Sequence, residues 1–359
     1  MKIAQELVQK IWNEERPADS TGVIQACLQL LSLPYRSAIA ARNRLYDRGL
    51  LRQEKLPCPV ISVGNLTVGG TGKTPTVILL ATMLREKGRR PAILSRGYGG
   101  STRAPITTVS DGKRILTGWR QSGDEPVLIA KAIPGVPVLT GPRRILTGRA
   151  AVERFGADVL ILDDAFQHRA IFRDLDIVML DAAHPFGNGY LLPRGPLREP
   201  QEALRRAHLL IRTGGTQREA PPQGAPPLPV FRGVHRPREL VQAATGRTLP
   251  LTELRGVKVC AFAGIGSPEA FRQSLTALGA EVVAFRAFPD HHPYILPDLE
   301  ALRRQAGESG VGRIVTTEKD GIRLADFPDF LAEISLLRIG MDITPAEAFA
   351  ELIFSRVAY

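Results

Sequence analysis

Cysteine is scarce in this chain. Cys27, Cys58 and Cys260 are the only three among 359 residues, odd in number and scattered without a C-x-x-C pair. That pattern argues against a structural zinc and fits a reducing cytoplasm. Aromatic residues amount to 6% and do not interleave with the basic ones. No nucleic-acid module is recognisable, so no nucleic-acid partner is expected. No run approaches the roughly 18–20 apolar residues of a membrane span. The N-terminal stretch MKIAQELVQKIWNEERP lacks the apolar core of a signal peptide. The sequence predicts no bilayer crossing.

What is present is an ordinary globular composition, 44% apolar and 23% charged. The length sets an expectation of about two domains. The formal net charge of +11 has two readings. It attracts a polyanion, such as anionic lipid or a phosphorylated substrate, or it reflects a generally arginine-rich composition.

Residues 60–80, VISVGNLTVGGTGKTPTVILL, carry the most information. A β-branched run enters a loop with four glycines between Gly64 and Gly72, which closes on Lys73-Thr74 and opens into another apolar run. This is the layout of a phosphate-binding loop. Val68, Gly69, Gly70, Thr71 and Gly72 offer backbone N–H groups, and the following helix N-terminus adds partial positive charge. Lys73 can reach the β- and γ-phosphates of a nucleoside triphosphate, and the Thr74 hydroxyl suits Mg²⁺. One departure is visible: Thr67 stands where the pattern G-x-x-x-x-G-K-[ST] has its first glycine.

The run VLILDDAFQH at 159–168 reads as a buried strand ending in Asp163 and Asp164. That end is where an open α/β sheet places its ligand crevice, and a carboxylate there can hold Mg²⁺. The same pair could instead cap the next helix. SGDEPVLIA at 122–130 puts Asp124 and Glu125 in a first helical turn, a common place for acids. FPDHHPY at 288–294 offers two adjacent histidines without zinc spacing. One of them working with a distant carboxylate is the more chemical reading, and a surface loop histidine is the plain one. Arginines recur in loops at Arg96, Arg143, Arg144, Arg194 and Arg198, where guanidinium forks match phosphate.

Strand and helix alternate from Pro57, with strands near 58–63, 91–95, 136–139, 158–162, 176–181 and 208–212 and helices near 73–87, 124–132, 143–155 and 199–206. The expected fold class is α/β: a P-loop NTPase-type parallel sheet with helices on both faces, over 56–213. Residues 214–229 hold five prolines, and 214–236 reads as an extended linker. A smaller α/β/α domain follows over 237–343, then a C-terminal helix over 344–359 that either stands apart or returns to the first domain. Residues 1–55 read as a separate helical segment. Val23, Ile24, Cys27, Leu28 and Leu31 share one face, Pro34 is expected to interrupt, and Arg36, Arg42, Arg44, Arg48, Arg52 and Lys55 follow. This segment fits either a packed helical pair or an amphipathic piece lying in a membrane interface.

Seven motifs in order resemble the tetraacyldisaccharide 4'-kinase family, the lipid A kinases of Gram-negative bacteria: VGNLTVGGTGKTP (63–75), SRGYGG (95–100), GDEP (123–126), DDAFQH (163–168), LPRGPLREP (192–200), FPDH (288–291) and TTEKD (316–320). Ala165 departs from the family's usual glycine. The resemblance implies transfer of the ATP γ-phosphate to the 4'-hydroxyl of tetraacyldisaccharide 1-phosphate, giving lipid IVA, with ATP and Mg²⁺ as cofactors. It implies two α/β/α domains around the ATP site, with Lys73 in the phosphate loop and Asp124 and His291 as a catalytic pair. It places Thr74, Glu125, Asp163 and Asp164 near Mg²⁺, and Tyr98, Arg144, His168 and Arg198 in the active cleft. It also implies that the N-terminal helix binds an anionic membrane surface, the cytoplasmic face of the inner membrane, peripherally. No protein partner is inferred. The alternative is a regulatory or positioning ATPase of the KGGxGKT group, but Val68 stands where that group has its signature lysine. A metal-chaperone GTPase lacks its N-K-x-D motif here.

Overall fold

The computed structural model describes residue 12, residues 22–214 and residues 227–357. Most of the first 21 residues of the expected interface segment, residues 215–226 of the expected linker, and the last two residues lie outside the described residues. The strands are β1 Val60–Asn65, β2 Pro91–Ser95, β3 Thr107–Asp111, β4 Pro137–Thr140, β5 Val159–Asp163, β6 Leu175–Asp181, β7 Leu209–Thr213, β8 Val230–Gln242, β9 Thr248–Leu249, β10 Lys258–Ala263, β11 Glu281–Ala287, β12 Arg313–Thr317 and β13 Ile334–Thr344. The α-helices of six or more residues are α1 Gly22–Asp47, α2 Lys73–Glu86, α3 Asp124–Ala132, α4 Arg144–Phe155, α5 Pro268–Ala277, α6 Leu296–Glu308, α7 Glu318–Arg323 and α8 Ala346–Val357, and a 3-10 helix spans Gln201–Arg206.

The expected α/β class holds, but the strands form one sheet rather than two. Its order is β11-β10-β12-β13-β8-β7-β6-β1-β5-β2-β4-β3, with β9 beside β8. Pairing is parallel except at β13–β8, β8–β9 and β3–β4. β8 makes the continuity. Its first residues, Val230–Gly233, pair with Leu210–Thr213 of β7, and the rest runs antiparallel along β13. Residues 230–236, expected as the end of the linker, are therefore strand. The polar, proline-bearing FRGVHRPREL sequence hides that strand, because most of its pairing comes from β13, about a hundred residues away in the chain.

Both faces of the first lobe are covered, so its strands read as continuous apolar runs. Alternation assigns Ile61, Val63, Val159 and Ile161 to one core and Val60, Leu160 and Leu162 to the other. Helix α8 returns to the first of these cores, where Phe349, Ile353 and Val357 pack with the β1 and α2 residues. The C-terminal helix thus returns to the first lobe rather than standing apart.

Helix α1 corrects one expectation and sharpens another. It runs unbroken through Pro34, which lies on an exposed turn where water can take the carbonyl that the missing N–H leaves. Its polar residues face the protein: Ser32 Oγ donates to Leu191 O at 3.2 Å, and Arg194 Nη1 donates to Gln25 O at 2.9 Å. Its apolar residues face out, with Val23 80%, Leu30 66% and Leu31 60% exposed. A helix packed only on its own domain shows the opposite pattern. Of the basic residues that follow, Arg42 points inward, to Glu199 at 2.6 Å and Gln167 O at 3.0 Å.

Candidate active site

The C-terminal ends of β1, β5 and β2 open onto a cleft below the second lobe. After β1, the loop Leu66–Gly72 is braced from outside: Val68 N donates to Pro196 O at 2.8 Å and Arg198 N to Leu66 O at 2.7 Å. Thr67, the residue in the first-glycine position, is buried, and its backbone forms an antiparallel bridge with Leu197 that ties the loop to the LPRGPLREP segment. Gly69 and Gly72 have φ of +130° and +84°, values that favour glycine. A Cβ on Gly72 would also stand 2.6 Å from His235 Nε2. Gly70 has open space around it. Lys73 begins α2 and reaches back over the loop, its Nζ 3.5 Å from Gly69 O and 3.7 Å from Asp164 Oδ1.

The two aspartates after β5 have separate surroundings. Asp163 is buried, accepts from Ser95 Oγ at 3.3 Å through Oδ2, and has no partner for Oδ1. Burial, with Glu125 and Asp164 nearby, raises its pKa to about 7 against the opposing pull of Lys73. Asp164 takes both its oxygens to Arg198 Nη1 at 2.9 Å. Burial alone would raise its pKa, but Lys73 and Arg198 outweigh that and hold it low. Ala165 has no positive φ and sits in the core, so the methyl that replaces the family's glycine meets no backbone strain.

Asp124 and His291 come from opposite lobes and meet. His291 Nδ1 lies 2.9 Å from Asp124 Oδ2 and 3.2 Å from Oδ1. Asp124 opens α3 after Gly123, is almost fully buried, and takes the Glu125 N–H on Oδ1 at 2.9 Å. Burial pushes its pKa up, but the His291 hydrogen bond and the charges of Lys319 and Arg323 overcome this and lower it. The bond to Asp124 raises the pKa of His291, while burial and Lys319 oppose. Among the described residues, His291 and Asp164 are the non-glycine residues with positive φ, at +57° and +48°. Held backbone conformations of this kind gather at functional sites. Tyr98, 71% exposed, sets its ring edge-on to His291 with centroids 5.9 Å apart.

Two cleft residues are more enclosed than loop arginines and histidines usually are. Arg144 is buried and donates to Gly141 O at 3.2 Å, with its Nε unpartnered. Burial and Arg96 lower its pKa to about 10. His168 is half-buried among Arg144, Arg173, Arg96 and Arg42, and burial first, then these charges, lower its pKa to about 4. An unfolded His168 takes a proton near pH 6.5, whereas the folded one resists until about 4. Folding stability therefore falls as pH drops from 6.5 towards 4 and changes no further below that, by up to roughly 3–3.5 kcal/mol in all. Denaturant melts of His168→Gln should show a shallower acid limb than the parent.

The sequence alone assigns no role to the TTEKD motif. The structure makes it the support of the Asp124–His291 pair. Thr317 caps α7, and the fully buried Asp320 accepts from Gly264 N at 3.0 Å, Tyr294 Oη at 2.6 Å and Arg323 Nη2 at 2.6 Å. Arg323 Nε reaches within 3.6 Å of Asp124 Oδ2. Lys319 Nζ lies 3.1 Å from Glu125 Oε1, 3.4 Å from Asp290 Oδ1 and 3.3 Å from His291 Nε2. Glu125, expected beside Mg²⁺, here faces this lysine. Spacing within α7 could have suggested that Lys319 and Arg323, four apart, share a face.

The donors present are of the hard oxygen type that suits Mg²⁺: the open Oδ1 of Asp163, the Thr74 hydroxyl and the neighbouring acids. Among the described residues no cluster of three or more His, Cys, Asp or Glu forms a ready cage. Mg²⁺ commonly takes one or two carboxylates together with substrate phosphates, so the donors fit without one.

Residues 24–358 match the family model described as tetraacyldisaccharide-1-P 4'-kinase. A relative from Syntrophus aciditrophicus (strain SB), named tetraacyldisaccharide 4'-kinase, is 52% identical over 97% of each chain. Another of that name from Anaeromyxobacter dehalogenans (strain 2CP-C) is 48% identical over 88% of this chain and 86% of its own. A crystal structure from Aquifex aeolicus, described as the "apo" form of LpxK in complex with ATP, superposes with a TM-score of 0.78. It is 36% identical and covers 93% of this chain and 99% of its own.

Proposed function

Because the chain belongs to the tetraacyldisaccharide-1-P 4'-kinase family, we propose that it moves the γ-phosphate of ATP onto the 4'-hydroxyl of a tetraacylated disaccharide 1-phosphate, giving lipid IVA. The observation that carries this reading is the grouping of the Lys73 loop, the Asp163–Asp164 pair and the inter-lobe Asp124–His291 pair, with Lys73 and Glu125 both acting on Asp163.

The phosphate loop, through its N–H groups and Lys73, holds the β- and γ-phosphates in line with the acceptor oxygen. Asp124 takes the proton from the 4'-hydroxyl as the oxygen attacks phosphorus, and His291 orients the carboxylate. Thr74, Asp163 and Asp164 are the residues that would hold Mg²⁺, which when bound neutralises charge on the transferring phosphoryl. Arg198 fixes Asp164, and Tyr98, Arg144 and His168 line the acceptor side. The lobes at 56–213 and 237–343 close on the substrates about β8 and β13. Radiolabelled ATP and the tetraacyl acceptor should give labelled lipid. Label appearing only as inorganic phosphate, at a rate indifferent to the acceptor, would instead favour a switch ATPase.

Four acyl chains keep the acceptor in a bilayer, so the outward apolar face of α1 is the docking surface, at the cytoplasmic side of the inner membrane. Each leucine moved from water into the interface contributes up to about 1.5–3 kcal/mol. The double variant Leu30→Asp/Leu31→Asp should lower partitioning onto anionic vesicles by roughly tenfold or more. Turnover of detergent-dispersed acceptor should stay at the parent rate. Sedimentation with vesicles reads the first, and unchanged partitioning removes α1 as the anchor. No described helix is long and apolar enough to cross a membrane.

A further inference from the structure

We infer that Lys319 of α7 is a positioning residue that dictates which nitrogen of His291 carries the proton, and thereby presents an N–H rather than a lone pair to Asp124. The inference rests on the kinase reading for its kinetic consequence but not for its geometry.

The atoms leave little choice. An ammonium group donates and cannot accept. Lys319 Nζ lies 3.3 Å from His291 Nε2, so in the neutral ring that nitrogen must be the acceptor. The ring proton then sits on Nδ1, which points at Asp124 Oδ2 from 2.9 Å. With the proton on Nε2 instead, two donors would face each other across 3.3 Å, and a bare Nδ1 would face a carboxylate. Lys319 is held on site by Glu125 Oε1 at 3.1 Å and Asp290 Oδ1 at 3.4 Å, and its side chain is only 17% exposed. The α7 backbone is in turn fixed by the buried Asp320 hub. The consequence is chemical. A donor at Nδ1 orients Asp124 as an anion and leaves its remaining lone pairs for the acceptor hydroxyl, whereas a lone pair there would repel the carboxylate.

The test reads the tautomer directly. Full-length protein labelled with ¹⁵N at histidine, free of nucleotide and metal, is examined at mildly alkaline pH by long-range ¹H–¹⁵N correlation. Six histidines keep the spectrum tractable, and His291→Gln assigns the signals of interest. The parent and Lys319→Arg should show His291 with Nδ1 protonated and Nε2 bare. Lys319→Met should show a mixture or the opposite form. Its kcat should fall about 10–10²-fold, with KM for ATP and the Mg²⁺ activation constant near parental values and with Lys319→Arg recovering much of the loss. A protonated Nε2 in the parent overturns the inference, whether or not the Met variant folds. So does a Met variant that keeps the parental tautomer, or one whose kcat stays within twofold. A parent that phosphorylates no lipid would sink the kinase reading while leaving the nitrogen signals to judge Lys319 alone.

Discussion

Asp124→Ala is expected to lower kcat by about 10²–10⁴-fold, the usual contribution of a positioned base, with KM for ATP changed only a few-fold. The expectation follows from where the carboxylate sits. It is buried at the first residue of α3, its pKa is held down by His291, Lys319 and Arg323, and it therefore stays ionised across any working pH. The proposed base role needs a carboxylate that is ionised and keeps lone pairs free, and Asp124 is ionised in this setting. The substitution also removes one partner of Arg323, which keeps Asp320 at 2.6 Å, so the fold should survive and a thermal melt will check it. Asp124→Asn preserves shape and the Glu125 contact while abolishing basicity, and it should be nearly as slow as the alanine variant. Steady-state kinetics near the parental rate for the asparagine variant would remove Asp124 from the base role. A loss expressed in KM for ATP would move it to nucleotide binding.

The second large effect belongs to Lys73. Lys73→Ala should cost about 10²–10³-fold in kcat, the range for losing one group that stabilises transition-state charge. It should also raise KM for ATP and leave KM for the lipid acceptor alone. Lys73 Nζ spans the loop towards Gly69 O and faces Asp164, so it connects the phosphate cradle to the acid pair. Lys73→Arg should not restore activity, because a planar fork is too bulky for a point charge enclosed by glycine backbone. Product formation with labelled ATP measures all three. A Lys73→Ala enzyme that runs at the parental rate would leave the phosphate loop without a function.

Much of the site was legible because it is local. The strand–loop–helix from Val60 to Glu86 is written in one contiguous stretch, and so is the apolar run that ends at Asp163. Helix α3 and its acidic first turn were equally visible. The pairing of Asp124 with His291 was not. It came from resemblance to a family, since 167 residues separate the two and no periodicity connects them. Strand β3, TTVSD, is a polar edge with no apolar alternation to mark it, so the sequence does not announce it. Residues 230–236 of β8 read as linker because their arginines and the prolines just before them discourage a strand until β7 and β13 supply partners. The face of α1 was visible but its direction was not: only Gln25 and Ser32 turned inward show that the leucines are left outside. Lys319 lay inside a quoted motif, yet which lobe it faces is a tertiary fact.

Helix α8 closes the first lobe's core from the far end of the chain. A ribosome delivers residues in order, and early domains generally fold while later ones are still being made. Here the Lys73 lobe emerges first but waits for Phe349, Ile353 and Val357 before one of its oily faces is shut. A message cut short after residue 345 would release a product with every phosphate-loop residue in place and an open seam against β1 and α2. Such fragments are sticky, and quality control by chaperones or proteases, rather than residual activity, would decide their fate.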